Sequence, residues 1–84
     1  MERFTYQTHG VCSKQIDIEI ENEIIVKVVY HGGCSGNTQG VAALVRGMKV
    51  TDAIERLSGI RCGFKSTSCP DQLSNALREY LAKK

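Results

Sequence analysis

Residues 15–21 read QIDIEIE, alternating apolar and polar side chains without a break. Such a period of two is useful only to an extended chain. It sends Ile16, Ile18 and Ile20 to one face and Asp17, Glu19 and Glu21 to the other, whereas a helix would scatter both sets around its axis. Asn22 and Glu23 interrupt the run, and IIVKVVYH resumes it. A tight hairpin at Asn22 is the simple reading, although Asn-Glu is a weaker turn pair than Asn-Gly. In the strand that follows, Ile24, Val26, Val28 and Tyr30 fall on one face and Ile25 and Val29 on the other. That strand is therefore expected to be central and partly covered on both sides. Phe4 and Tyr6, two apart within RFTYQTH, add a first strand.

After His31 the period changes. Val41, Leu44, Val45 and Met48 lie at i, i+3, i+4 and i+7, a helical stripe that Gly47 closes. A second, short helix is predicted in VTDAIERLSG, with Thr51 as N-cap and Gly59 at its C-terminal stop. A third begins at Pro70, which suits the first helical position and makes Cys69 the N-cap. Its stripe is Leu73, Ala76, Leu77, Tyr80 and Leu81. Strands followed by helices predict an α+β fold. A three-stranded antiparallel meander carries three short helices on one face, in a single domain spanning 1–84.

The chain has 84 residues, 11 Lys+Arg against 9 Asp+Glu, and a net charge of +2. A chain this short buries only somewhat more than ~60% of its unfolded surface, so a metal, a disulfide or a partner subunit would help it. A large barrel or doubly wound sheet does not fit. The charge is too weak to argue for a nucleic-acid partner. No stretch approaches the ~20 apolar residues of a membrane span, and MERFTYQTHG lacks the apolar run of a secretion signal. A soluble, cytoplasmic protein with no nucleic-acid or membrane partner is the expectation, as a monomer or a homodimer.

Four cysteines are placed in an informative way on this map. Cys12 sits in the bend between the first two strands and Cys34 follows Gly32-Gly33 ahead of the first helix. Cys62 lies in the loop after the second helix, and Cys69 caps the third. None falls in an apolar stripe, where a structural thiol usually hides as a small hydrophobe. In a reducing compartment such cysteines read as metal ligands or redox thiols rather than disulfides. Cys34 and Cys69 stand at helix starts, where unpaired N–H groups and the macrodipole favour a thiolate. Gly32, Gly33, Gly36 and Gly63 let backbone approach such sulfurs closely. One tetrahedral zinc would use Cys12, Cys34, Cys62 and Cys69 together. The spacing, C-x21-C-x27-C-x6-C, contains no C-x-x-C knuckle, so a ribbon or finger is excluded and the ligands must converge through the fold. The alternatives are an iron–sulfur site, a redox pair of Cys62 with Cys69, and reduced thiols with no cofactor. His9 and His31, near strand ends, are further ligand candidates, though a surface or hydrogen-bonded histidine is the commoner outcome.

Other signals are weaker. GGCSGNTQG runs into a helix and could rest an anion on its N-terminus. It matches neither the P-loop nor the dinucleotide fingerprint, and its glycines more simply make the turn and give Cys34 room. His31 and Cys34, three apart in an extended-to-turn segment, give no reason to expect a nucleophile–base pair. No catalytic residue is assigned.

The pentapeptide TSCPD, Thr67 to Asp71, together with GVCSKQI, GGCSGN and LVRGMKVTDAIERLSGIRCG, resembles the TSCPD domain family over nearly the whole chain. That family occurs as free-standing small proteins and as a C-terminal segment of some adenosylcobalamin-dependent ribonucleotide reductases. Its motifs place Cys34, Cys62 and Cys69 in the family's cysteine positions, while Cys12 belongs to the free-standing form. Cys62 is followed by Gly63, where the reductase-attached versions tend to have proline. The resemblance implies a ribonucleoside-diphosphate reductase label with nucleotide binding and deoxyribonucleotide synthesis attached. Radical reduction needs a substrate barrel and a cofactor site that three strands and three short helices cannot supply. The expectation is an accessory module serving a reductase-like partner enzyme. A fainter likeness, in GGCSGNTQGVAALVRGMKVTDAIERLSGI, is to the scaffold proteins of iron–sulfur assembly.

Overall fold

The computed structural model describes residues 1–8, 13–32, 35–60 and 67–83, with residues 13 and 35–37 described in backbone only. Strands β1 (Glu2–Gln7), β2 (Ser13–Glu21) and β3 (Ile24–Gly32) form one antiparallel sheet in the order β1-β2-β3. Helices α1 (Ser35–Val45), α2 (Val50–Leu57) and α3 (Cys69–Ala82) follow. This is the α+β arrangement the sequence predicts.

The β2–β3 hairpin turns on two residues, because Glu21 pairs directly with Ile24. Asn22 (φ 52°) and Glu23 (φ 63°) are both left-handed. This is the I′-type geometry, whose twist matches that of the flanking strands. Asparagine tolerates the conformation and glutamate does so poorly. Glu23→Gly is therefore expected to stabilise the fold by about 1 kcal/mol, read as a higher midpoint in urea unfolding.

One inserted residue corrects the reading of β3. Glu19 pairs with Lys27 but Ile20 pairs with Ile25, leaving Val26 as the extra residue of a bulge. A bulge reverses the alternation on its strand. Ile25 and Val28 consequently both point into the core, while Val26 is 36% exposed. The apparent stripe of Ile24, Val26, Val28 and Tyr30 is thus two half-stripes in opposite phase. The expected cover on both sides is absent at Val26, Lys27 and His31, which are exposed.

The outer face of the sheet carries a polar row across all three strands. Thr5 donates its hydroxyl to Asp17 Oδ1 (2.8 Å), and His31 Nε2 lies 2.7 Å from Asp17 Oδ2. Arg3 and Glu19 form a looser pair at 3.8 Å, an exposed contact of small worth. The hydrogen bonds from His31 and then Thr5 hold the Asp17 carboxyl below its ordinary pKa. Its stabilising contribution is complete above the ordinary carboxylate pKa and is lost as pH falls through the lowered folded value. Asp17→Asn is expected to remove that part of the acid dependence in a pH series of melting curves.

On the inner face, Leu73, Ala76 and Leu77 of α3 share one buried cluster with Ile16, Ile18 and Ile20 of β2, together with Ile25, Val28, Val45, Val50 and Ala53. Near its end α3 stacks Tyr80 on Phe4, with centroids 5.5 Å apart, and Tyr80 donates its hydroxyl to Glu2 (2.8 Å). At its start it receives Tyr30 of β3. The helix therefore crosses the sheet diagonally, from the end of β3 to the start of β1. Helix α1 packs on β3, and α2 on α3.

In α1 and α2 two details differ from expectation. Leu44, placed in the α1 stripe, is 78% exposed, while Val45 is buried. Helix α2 begins at Val50, with Lys49 rather than Thr51 at its N-cap and no side-chain cap. The hairpin supplies the missing acceptor instead, since Val50 N–H donates to the Glu23 carbonyl (2.9 Å). Beside it, Ile25 N–H donates to Met48 (2.9 Å) and Gly47 N–H to Ile25 (2.8 Å). These bonds cover part of the β3 edge, which would otherwise invite pairing with other chains. Gly47 (φ 84°) and Gly59 (φ 82°) close α1 and α2 in the left-handed conformation, as the sequence predicts.

The path of the chain alternates. β1 runs toward one end of the molecule, β2 returns from it, and β3 runs back. Helix α1 leads away again, because the residues after it bond to Ile25 near the hairpin. Helix α2 starts at that hairpin, and the segment after it meets the start of α3. The end of β1, the start of β2, the end of β3, the residues after α2 and the start of α3 thus lie toward one end, opposite Asn22.

Candidate functional site

Three of the four candidate ligands, Cys12, Cys34 and Cys62, lie outside the described residues, as does His9. Cys69 is described and is buried, 6% exposed. Among the described residues no cluster of three or more His, Cys, Asp or Glu side chains could hold a metal ion. His31 is placed on the outer face against Asp17, away from the helical side that holds Cys69.

The described residues that flank the cysteines meet. Ser13, which follows Cys12, is the cross-strand partner of Gly32, two residues before Cys34. Antiparallel partners have Cα atoms only about 4.5–5.5 Å apart. Tyr30, two residues before β3 ends, donates its hydroxyl to the Cys69 carbonyl (3.0 Å). Burial, and after it the Cys69 sulfur, pushes the Tyr30 phenol above its ordinary pKa, so it remains a donor. Ile60, two residues before Cys62, offers its carbonyl to the Ser68 hydroxyl (2.5 Å).

The last contact belongs to a clasp built from TSCPD itself. Ser68, not Cys69, is the N-cap of α3, and its hydroxyl accepts from Asp71 N–H (3.1 Å). Cys69 and Pro70 are then the first two helical residues. Proline is tolerated at the second as at the first, since neither N–H has an intrahelical acceptor. The Asp71 carboxylate faces both ends of the connection that contains Cys62. It accepts from Gly59 N–H at Oδ1 (2.7 Å) and from the Thr67 hydroxyl at Oδ2 (2.5 Å). Gln72 Nε2 also donates to Thr67 Oγ1 (3.1 Å). Arg78 ties α3 to the end of α2 through the Ser58 hydroxyl. Four of the five residues of the motif thus serve to close a loop and start a helix, and one supplies a thiol.

Sequence reasoning gave Thr67, Ser68 and Asp71 no structural role and placed Tyr30 only on a strand face. A signal was present for two of them. Ser-x-x-Asp ahead of an apolar run is a capping-box pattern, and serine caps more strongly than the neighbouring cysteine. Nothing in the sequence marks Tyr30, whose partner is 39 positions away.

Among the described residues no helix is long and apolar enough to cross a membrane. The family model for the TSCPD domain matches residues 2–81, and the chain belongs to that family. No curated protein and no solved structure matches it.

Proposed function

We propose that this TSCPD-family chain is a metal-binding accessory module in which Cys12, Cys34, Cys62 and Cys69 hold one zinc ion. The observation that carries the reading is the alternating chain path, which puts the described residues nearest the cysteines, Ser13, Gly32, Ile60 and Cys69 itself, toward the end of the molecule opposite Asn22. Consecutive Cα atoms are 3.8 Å apart, and two residues span at most about 7 Å. Ser13, Gly32 and Ile60 are therefore within that reach of Cys12, Cys34 and Cys62, so the reading needs no C-x-x-C knuckle for these three to join Cys69. The donor set fits zinc, which takes four thiolates in closed structural sites. Bound there, the ion would cross-link three connections and add folding energy that a chain of this size needs. The clasp around Asp71 would position Cys62 and Cys69, and Tyr30 would fix the start of α3.

A dithiol module that cycles Cys62 and Cys69 is the second reading, favoured by the Ser68–Ile60 contact beside both. Burial of Cys69 weighs against it, because reactive thiols are partly exposed. The resemblance to reductase-attached segments supplies the partner class, a ribonucleotide reductase-like enzyme in a reducing cytoplasm.

Elemental analysis and thiol titration of protein purified under reducing conditions test this. About one zinc per chain with four protected thiols supports the site. Metal-free protein that forms a reversible Cys62–Cys69 bridge supports the dithiol reading instead.

A further inference from the structure

The groove between α1 and α2 sets an exposed apolar side chain beside a recess. Its lip is Leu44, 78% exposed although apolar. Its floor is Val45, Met48 and Leu57, which belong to or pack on the core, and it encloses about 490 Å³. Asp52 and Arg56 complete the lining. They are exposed and stand one turn apart on α2. Opposite charges at i and i+4 commonly pair, yet Asp52 and Arg56 do not pair with each other as Arg3–Glu19 and His31–Asp17 do.

We propose that a second copy of this chain docks on this groove about a two-fold axis. An isologous contact brings a patch against itself, so it must carry a projection with a recess and an acid with a base. The α1–α2 groove has all four. With the two α2 helices antiparallel, Leu44 of each copy enters the recess of the other and Asp52 of each faces Arg56 of the other. An anionic membrane surface or a nucleic acid would ask for an excess of basic residues, whereas this rim is balanced. None of these residues takes part in the Asp71 clasp, so the contact stands or falls independently of the metal site.

Sedimentation velocity over a concentration series, under reducing conditions, tests the contact. The wild-type chain is expected to dimerise, and Leu44→Asp to weaken dimerisation by tenfold or more. Asp52→Arg alone should weaken it similarly, by setting arginines against Arg56, and the double exchange Asp52→Arg/Arg56→Asp should restore it. Circular dichroism and melting midpoints establish that each variant is folded. A wild-type chain that is monomeric up to about 1 mM overturns the proposal. So does a dimer indifferent to Leu44→Asp and Asp52→Arg, or a double exchange no tighter than the single one.

Discussion

Asp71→Ala is expected to lower stability by about 3 kcal/mol and to weaken the proposed zinc binding by roughly 10–100-fold. The carboxylate accepts two hydrogen bonds, from Gly59 N–H and from the Thr67 hydroxyl. Hydrogen bonds to a charged group contribute about 1.5–3 kcal/mol each. The total is discounted because Gly59 is exposed and water can replace part of what is lost. Asp71 also lies in the first turn of α3, where a negative charge interacts favourably with the helix dipole by about 0.3–1 kcal/mol. Asp71→Asn should cost less, since the amide oxygen can still accept from Gly59 and its nitrogen can donate to Thr67. Urea unfolding and zinc titration of both variants check the ordering. Equal, near-wild-type behaviour of the two would remove the clasp from the account.

Chelation is the second large effect. Stripping the proposed zinc should lower stability by about 3 kcal/mol or more, because metal binding by such a site is coupled to folding. For a domain of this size each kcal/mol shifts the melting temperature by about 4–8 °C, so a fall of roughly 12–24 °C is expected. Ser substitution at any one of Cys12, Cys34, Cys62 or Cys69 should reproduce most of that fall, and chelator should then add little. A thermal melt with and without chelator, on wild type and each variant, reads both. If the four substitutions had unequal, additive effects that persisted in chelator, the cysteines would be acting as separate packing residues.

How far the sequence reveals this molecule depends on the kind of interaction. The order of elements was legible because it rests on local periodicity: Ile16, Ile18 and Ile20 at period two, Leu73, Ala76, Leu77 and Tyr80 at helical spacing. The phase of β3 was not, because a single inserted residue at Val26 leaves the strand apolar on both sides of the break and so looks like two-sided burial. The start of α2 was hidden for a different reason. Its first N–H is satisfied by the Glu23 carbonyl from a distant turn, so no capping side chain was needed where Thr51 offered one. Leu44 fits the α1 stripe by spacing, yet the spacing cannot say how wide a stripe the neighbours will cover. The four thiols were conspicuous by residue type, whereas the clasp around Asp71 joins residues 58–60 to 67–78 and could be read only in part, from the Ser68-x-x-Asp71 pattern.

The most direct measurement is zinc-edge X-ray absorption on the chain purified under reducing conditions. Four sulfur neighbours at about 2.3 Å, with no nitrogen or oxygen in the shell, are expected if Cys12, Cys34, Cys62 and Cys69 close on one ion. A shell with two or fewer sulfurs, or a chain that retains no metal at all, would contradict it.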